Sequence, residues 1–228
     1  MLTLLQNADL WLLRKLNMDW THPALDRLLP TVTDFGAWTP FITALIVAAL
    51  IFGGARLRLL CLAIGLGVAL GDSVVSNSLK HLTGRLRPHE AISGIISRKL
   101  PSWKPRVLAI FQAPVTKASV PAKPGTRGRS FPSSHAVNVS CVAMVCWLIY
   151  GRRTWWVALL ALLVAWSRIY CGNHWPSDVL FAIPTGLLCG WVAVFLTECL
   201  WNKFGGMFFR HTHAVMPSLR RRRLTIGP

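Results

Sequence analysis

One short segment, Ser167 to Asp178, contains an arginine, a histidine and an aspartate. These residue types together can activate the histidine as a nucleophile. His174 and Asp178 lie four residues apart, and Arg168 precedes both of them. A carboxylate that accepts the proton of one imidazole nitrogen fixes the tautomer and makes the other nitrogen a better nucleophile. The segment predicts a histidine nucleophile beside a cation, with a structural turn around a paired histidine as the alternative.

A second segment, Phe131 to His135, places two serines and a histidine at the start of an apolar run. If a helix begins there, Ser133 and Ser134 can cap its first turn, or they can help its free backbone N–H groups bind an anion. Capping does not require His135, and an imidazole at this position can give a proton to a leaving group near neutral pH.

Cations dominate a third segment, Lys80 to Pro88. Arg87 can hold an anionic group with two parallel hydrogen bonds, whereas Lys80 acts as a point charge. Snorkelling toward lipid headgroups is the competing interpretation. Asp72 and Ser76 precede Lys80 at helical spacing, and a carboxylate within a span is costly and usually functional, although it can also order the helix that carries Lys80.

Composition restricts where these segments can lie. The chain has 228 residues, 53% of them apolar and only 14% charged, yet its formal net charge is +17. Soluble domains carry roughly 25% charged residues. A basic excess indicates a polyanionic partner, and apolar excess favours anionic membrane lipids and a phosphorylated lipid over nucleic acid, for which the sequence shows no stacking platform.

Uncharged runs of roughly 20 residues predict membrane-spanning helices. Five runs qualify: Gly36 to Gly53, Leu59 to Leu79, Ala136 to Tyr150, Thr154 to Tyr170, and Val179 to Trp201. Residues 1–16 are apolar but interrupted by Asp9, Arg14 and Lys15, which predicts an interfacial helix or a partly covered sixth span. The fold class is therefore an all-α polytopic membrane helical bundle.

We treat residues 1–228 as one membrane-embedded domain with three extensions: an N-terminal amphipathic segment (1–35), a basic external loop (89–131) and a basic cytoplasmic tail (203–228). Short loops carry the orientation signal, which predicts a cytoplasmic side marked by Arg56 with Arg58, Arg152 with Arg153, and Arg220 to Arg223. Ile92, Ile95, Ile96 and Leu100 predict one short amphipathic helix in the loop.

In order along the chain, the three segments resemble the signature of the type 2 phosphatidic acid phosphatase family, K-x6-RP, PSGH and SR-x5-H-x3-D. Lys80 to Pro88, Pro132 to His135 and Ser167 to Asp178 carry the resemblance. Ser134 departs from it, because the family usually has glycine there. We expect this serine to alter the packing around the phosphate without abolishing activity.

The resemblance implies a metal-independent phosphatase that needs no cofactor and forms a phosphohistidine. His174 would be the nucleophile, Asp178 would orient it, and His135 would protonate the departing oxygen and then activate water. The phosphoryl oxygens would be held by Lys80, Arg87, Arg168, Ser133 and the backbone N–H of Ser134. Vanadate-dependent haloperoxidases share a similar motif set, but they are larger soluble proteins.

Two other patterns are rejected as active sites, a cysteine-dependent phosphatase site and a zinc site. Cys146 and Arg152 match the spacing of cysteine-dependent phosphatases, but the residues between them do not form a phosphate-cradling loop, and apolar surroundings raise the pKa of a thiol. A zinc site built from His81, His89, His135 and His174 is opposed by the nearby cations.

The sequence thus predicts a multi-pass lipid phosphatase of a bacterial-type inner membrane, with its site on the periplasmic or extracellular side. Candidate substrates are undecaprenyl pyrophosphate, phosphatidylglycerol phosphate, lipid A phosphate and phosphatidic acid. The basic loop favours a headgroup with more than one negative charge. A lipid phosphotransferase and a non-catalytic protein that binds anionic lipid are the alternatives, and oligomeric state stays open.

Overall fold

A computed structural model provides the structure and describes residues 2–219, so the predicted anchor Arg220 to Arg223 lies outside the described residues. In chain order its elements are α1 (Leu2–Arg14), α2 (Pro23–Thr33), α3 (Phe35–Phe52), α4 (Ala55–Val68), α5 (Asn77–Thr83), α6 (Pro88–Ala91), β1 (Ile96–Lys99), β2 (Val115–Ala118), α7 (Ser134–Tyr150), α8 (Trp155–Tyr170), α9 (Pro176–Phe208) and α10 (Arg210–Val215). A π-helical segment, Ala69–Ser76, joins α4 to α5, and 3₁₀ turns lie at Arg106–Phe111 and Gly151–Thr154.

Within residues 2–219, four helical stretches are long and apolar enough to cross a membrane: Phe35–Phe52, Ala55–Ala91, Ser134–Tyr170 and Pro176–Phe208. The third stretch contains the turn at Gly151, whose φ of 68° breaks the helix, and its two halves α7 and α8 pack against one another. These helices confirm the predicted fold class, an all-α membrane bundle. The predicted number of five spans stays a prediction.

Small residues hold the centre of the bundle together, where α9 packs on α7. A Cβ atom added to Gly186 would lie 2.2 Å from the backbone oxygen of Val137, and one added to Gly190 would lie 2.6 Å from that of Cys141. Membrane helices approach closely at such glycines because little hydrophobic driving force acts between helices in lipid. This contact fixes the starts of α7 and α9 relative to each other.

The N-terminal helix α1 lies against the start of α9. A π-helical turn, Lys15–Asp19, continues it without a break, and together they extend about 25 Å, close to the roughly 30 Å of a hydrocarbon core. Leu5 and Trp11 are exposed, whereas Asp9 and Leu13 are buried. One face of α1 is therefore covered by the bundle, and the interfacial helix and the partly covered sixth span both stay predictions.

The loop after α6 forms a strand where the sequence predicts a helix. Gly94 has a φ of 83°, which ends helical geometry, and β1 then pairs antiparallel with β2, with Ile96 opposite Ala118. Ile95 and Leu100 are still buried, so the apolar residues pack as predicted but in an extended backbone. The predicted amphipathic helix is wrong because Gly94 and Pro101 confine the segment to a length that suits a strand.

Substitution of Gly186 by alanine tests the role of the α7–α9 contact. The added Cβ would overlap the α7 backbone, so we expect a loss of about 1–3 kcal/mol in stability. Gly65→Ala is the matched control, because nothing lies within 4 Å of its added Cβ and alanine favours the helix. Thermal unfolding of both proteins in the same detergent measures the difference, and equal midpoints would contradict the proposed packing.

Candidate active site

The ends of four helical segments bring the three sequence motifs together. Lys80 lies in α5, His135 in the first turn of α7, and His174 between α8 and α9. Lys80 Nζ donates to Ser134 Oγ, and the backbone N–H of Ser133 donates to the carbonyl oxygen of Asp178 at 3.4 Å. The motifs are more than 30 residues apart in the chain, yet they meet at one end of the bundle.

The side chain of His174 is held by a backbone carbonyl. Its Nδ1 lies 2.8 Å from the carbonyl oxygen of Ser130 and 3.6 Å from Asp178 Oδ2. Because a carbonyl oxygen only accepts, Nδ1 carries the proton and Nε2 keeps its lone pair. The predicted tautomer is present, but Ser130 fixes it, whereas Asp178 lies beyond hydrogen-bond distance and acts mainly through its charge.

Burial also keeps this imidazole neutral. His174 is 3% exposed, and its desolvation lowers the pKa to about 4, while the nearby Asp178 opposes the shift and the positive charges of Arg168 and Arg87 add to it. The ring is therefore neutral at neutral pH, with its one proton on Nδ1 and a lone pair on Nε2.

Asp178 is fully buried and accepts hydrogen bonds from several donors. Arg85 Nη1 donates to Oδ1 at 2.6 Å, while Ser130 Oγ and the backbone N–H of Trp175 donate to Oδ2. The Trp175 bond caps the start of α9. Asp178 thus orders the helix end that presents it and also places negative charge near His174.

The N-terminus of α7 differs from a simple serine cap. Ser133 occupies the cap position without a capping side-chain hydrogen bond, and its buried Oγ has no hydrogen-bond partner within residues 2–219. Ser134 Oγ binds Lys80, which gives the serine that departs from the family motif a role in orienting that cation. Backbone N–H groups of this first turn remain suited to an anion.

His135 lies beside the same cations. Its ring stacks on Phe35 with centroids 4.6 Å apart and an interplanar angle of 11°, which fixes the plane of the imidazole. Lys80, Arg87, Arg168 and His174 all lie close enough to act on it electrostatically. The proton-transfer role that the family resemblance implies for His135 stays a prediction.

Arg168 is 8% exposed and is anchored by the N-terminal part of the chain. Its Nη1 donates to Thr33 Oγ1 at 2.8 Å, whereas its buried Nε has no hydrogen-bond partner in the described part of the chain. Native proteins rarely leave buried donors unpaired. Arg168 Nε and Ser133 Oγ are therefore available to the oxygens of an anion.

A cavity of about 400 Å³ adjoins these residues and is lined by Asp72, Ser73, Asn77, Lys80, Arg87 and Arg129. Arg129 Nη2 lies 3.0 Å from Asn77 Oδ1 and 2.7 Å from His81 Nε2, so α5 holds this guanidinium in place. Asp72 lines the cavity as an intramembrane carboxylate. Ser76 instead donates to the carbonyl oxygen of Gly71 within the π-helical segment.

Sequence reasoning did not single out four residues that build this site: Asp9, Thr33, Arg85 and Ser130. Asp9 offers a signal, a carboxylate in an apolar segment, but that pattern predicts only the interruption of a span. Arg85 lies inside the first motif at a position that the motif leaves free. Ser130 acts through its backbone carbonyl as well as its hydroxyl, and a backbone role has no residue signature.

From the sequence, the positive charge of the loop at residues 89–131 is related to the lipid headgroup, but two of its arginines form ion pairs within the protein. Arg98 is 2% exposed, donates to the carbonyl oxygens of Asn17 and Tyr170, and pairs with Asp26 at 2.6 Å. Arg106 pairs with Asp34. These two arginines stabilise the fold, while Lys99 and Lys104 remain exposed.

Neither rejected pattern gains support from the structure. Cys146 lies inside α7 and Arg152 in the turn that follows it, so they do not flank a phosphate-cradling loop. Within residues 2–219, no three His, Cys, Asp or Glu side chains form a group that could hold a metal ion. Metal independence stays a prediction.

Comparison with curated proteins finds relatives that match short parts of the chain. An undecaprenyl-diphosphatase of Sulfolobus acidocaldarius is 40% identical over 65 residues, which cover 28% of this chain and 30% of that relative. The chain spans only 21–39% of the length of three curated relatives, this one included.

Two crystal structures are similar over most of the chain. LpxE of Aquifex aeolicus is 25% identical with a TM-score of 0.57, covering 82% of this chain and 94% of that one. A transmembrane PAP2-type phosphatidylglycerolphosphate phosphatase of Bacillus subtilis shares the fold, with a TM-score of 0.56 at 23% identity and coverage of 86% and 87%.

The sequence model of the PAP2 superfamily matches residues 56–202, more than half of the chain and every one of the three motifs. The chain is therefore a member of the PAP2 superfamily.

Proposed function

We propose that this protein is an integral membrane lipid phosphatase that hydrolyses a phosphomonoester or pyrophosphate of a lipid headgroup, with His174 as its nucleophile. One observation carries the proposal. The buried imidazole has its Nδ1 proton committed to the Ser130 carbonyl and, within residues 2–219, no hydrogen bond to its Nε2, and it lies beside Arg168 and Arg87. A structural histidine does not need a free lone pair among cations.

In the first step, Nε2 of His174 attacks phosphorus and forms a P–N bond while the bond to the leaving oxygen breaks. His135, in its protonated form, gives its proton to that oxygen. The imidazole of His174 gains positive charge as the P–N bond forms, and the Asp178 carboxylate at 3.6 Å stabilises that charge.

In the second step, neutral His135 takes a proton from water, whose oxygen attacks phosphorus as the P–N bond breaks. Inorganic phosphate leaves, and His174 regains its lone pair. The phosphoryl oxygens are held by Lys80, Arg87, Arg168, Ser133 and the backbone N–H of Ser134. Arg85 takes no part in this binding, because both of its terminal nitrogens are engaged by carboxylates.

The site faces the periplasmic or extracellular side of the inner membrane in this proposal. The helix α7 runs from Ser134, at the site, to Tyr150, a length of 17 residues or about 25 Å. Arg152 and Arg153 follow at its far end. The positive-inside rule places those arginines in the cytoplasm and the site on the opposite side.

The cavity supports a headgroup with more than one negative charge. Arg129 lines it together with Lys80 and Arg87, which supplies a further cation beside the candidate phosphoryl site. The name of one similar protein agrees, since it is an undecaprenyl-diphosphatase. A lipid phosphotransferase would share the first step and differ only in the acceptor.

His174→Ala tests the nucleophile. Without Nε2 no phosphohistidine can form, so we expect phosphate release to fall by at least about 1,000-fold on undecaprenyl pyrophosphate, phosphatidylglycerol phosphate, lipid A and phosphatidic acid. Cys146→Ser is the control and should retain wild-type activity, and EDTA should not reduce the rate. Release that survives His174→Ala would contradict the mechanism, and phosphate recovered on an added lipid acceptor would identify a transferase.

The protonation state of His174 is a separate prediction. Because burial lowers its pKa to about 4, the ring should stay neutral from pH 7.5 down to about pH 5, whereas an ordinary histidine titrates near 6.5. Nitrogen-15 NMR of labelled protein should show a protonated Nδ1 and an unprotonated Nε2, with the signal assigned by its loss in His174→Gln. A midpoint at or above 6.5, or the opposite tautomer, would show that this account of the nucleophile is wrong.

Arg129→Gln tests the charge of the headgroup. The substitution removes one cation from the cavity, so we expect kcat/KM for undecaprenyl pyrophosphate to fall about tenfold and that for undecaprenyl phosphate to change less than threefold. Arg127→Gln is the matched control, because Arg127 lies two residues away and donates to the His81 carbonyl without lining the cavity. Equal losses on both lipids would contradict a pyrophosphate preference.

A further inference from the structure

We infer that Asp9, in the N-terminal helix α1, is a positioning residue for the proposed reaction and acts on His174 through Arg85 and Asp178. The inference rests on the proposed function. The PAP2 match begins at residue 56, so nothing in the family motifs assigns a role to this helix.

The contacts of Asp9 are those of a buried, fully engaged carboxylate. It is 6% exposed and lies on the inward face of α1. Ser177 donates to it through its backbone N–H at 2.8 Å and through its Oγ at 2.6 Å, and Arg85 Nη2 donates at 2.6 Å. Burial of a charge is costly unless it is paired in this way, so Asp9 fixes α1 to the first turn of α9.

One guanidinium connects the two carboxylates. Arg85 uses Nη2 for Asp9 and Nη1 for Asp178, and the Nη1 group also lies 2.8 Å from Ser177 Oγ. The Trp175 ring lies 5.0 Å from the guanidinium carbon and supports its face. With Asp9 in place, Arg85 is shared and meets Asp178 through a single nitrogen.

Loss of the Asp9 charge would change that sharing. Arginine and a lone carboxylate favour a bidentate pair, so Arg85 would turn both nitrogens toward Asp178 and draw its negative charge away from His174. The His174 imidazole needs that charge when Nε2 bonds to phosphorus and the ring becomes cationic. Asp9 therefore supports the chemical step by limiting how strongly Arg85 binds Asp178.

The effect should fall on kcat more than on KM. The groups that would hold the phosphoryl oxygens are Lys80, Arg87, Arg168 and the start of α7, and the hydrogen bonds of Asp9 go instead to Arg85 and Ser177. Side chains that orient the ligands of a metal site from one residue away typically contribute about 10–100-fold to activity, and we expect an effect of the same size from Asp9.

Asp9→Asn tests the inference, with the purified full-length protein assayed on undecaprenyl pyrophosphate in lipid nanodiscs. We expect kcat to fall about 10–100-fold, the rate of phosphoenzyme formation to fall in proportion, and KM to stay within twofold. Asp19→Asn is the matched control, because Asp19 belongs to the same N-terminal region and forms only an exposed ion pair with Lys15. Asp9→Glu restores the charge and should recover part of kcat.

A double-mutant comparison of Asp9→Asn with Arg85→Gln separates a positioning role from a structural one. Arg85→Gln should lower kcat by itself, because Asp178 loses a hydrogen-bond donor, and Asp9→Asn should lower kcat no further once Arg85 is absent, because Asp9 acts only through that guanidinium. Additive losses would overturn the inference, as would a kcat in Asp9→Asn equal to that of Asp19→Asn. If Asp9→Asn does not fold, the Asp9→Glu protein decides: a loss of kcat that persists unchanged in the Arg85→Gln background overturns the link.

Failure of the proposed function is recognised separately. If wild-type protein releases no phosphate from any of the four lipids, kcat and KM of the variants cannot be compared. The His174 imidazole can still be observed by nitrogen-15 NMR. Asp9→Asn should shift its ring signals, while Asp19→Asn should leave them unchanged. An unchanged spectrum in Asp9→Asn would refute the link whatever the substrate is.

Discussion

Burial of the Asp178 carboxylate is the constraint on which this end of the molecule depends. An ionised carboxylate with no exposed surface is stable only when donors surround it. Here the donors come from three separate segments: Arg85 after α5, Ser130 before α7, and the backbone of Trp175 before α9. To satisfy one charge, the chain must therefore bring together the same three segments that carry the sequence motifs.

Close backbone contacts make that convergence possible. A Cβ atom added to Gly128 would lie 2.3 Å from the carbonyl oxygen of Arg85, so only glycine lets this part of the loop lie against the first motif. The backbone N–H of Ser130 then donates to the Arg85 carbonyl at 2.9 Å, which places the Ser130 carbonyl beside His174. On the other side of the site, Gly186 brings α9 against α7. Glycines thus set the spacing, and the polar contacts use it.

Sequence reasoning predicted what depends on local pattern and missed what depends on long-range partners. The apolar runs and the residues His174, His135, Lys80 and Arg168 follow from composition, spacing and family motifs, and the structure brings these side chains together. The carbonyl of Ser130 has no signature in a sequence, and the type of Arg85 does not distinguish it from Arg87 two positions later. The strand β1 was mistaken for a helix because short apolar segments suit either period.

The structure divides several of the chain's cations into two groups, those paired with carboxylates and those that are not. Arg85, Arg98 and Arg106 each form an ion pair with an aspartate, so they hold the loop and α1 in place. Within residues 2–219, no carboxylate lies within ion-pair distance of Lys80, Arg87, Arg129 or Arg168, although Asp72 acts on Lys80 and Asp34 acts on Arg168 from farther away. Cations crowded without counter-charges repel one another and raise the free energy of the folded state. An anion bound among these cations, beside the neutral and buried His174, would remove that repulsion. A phosphoryl group carries the negative charge to do so.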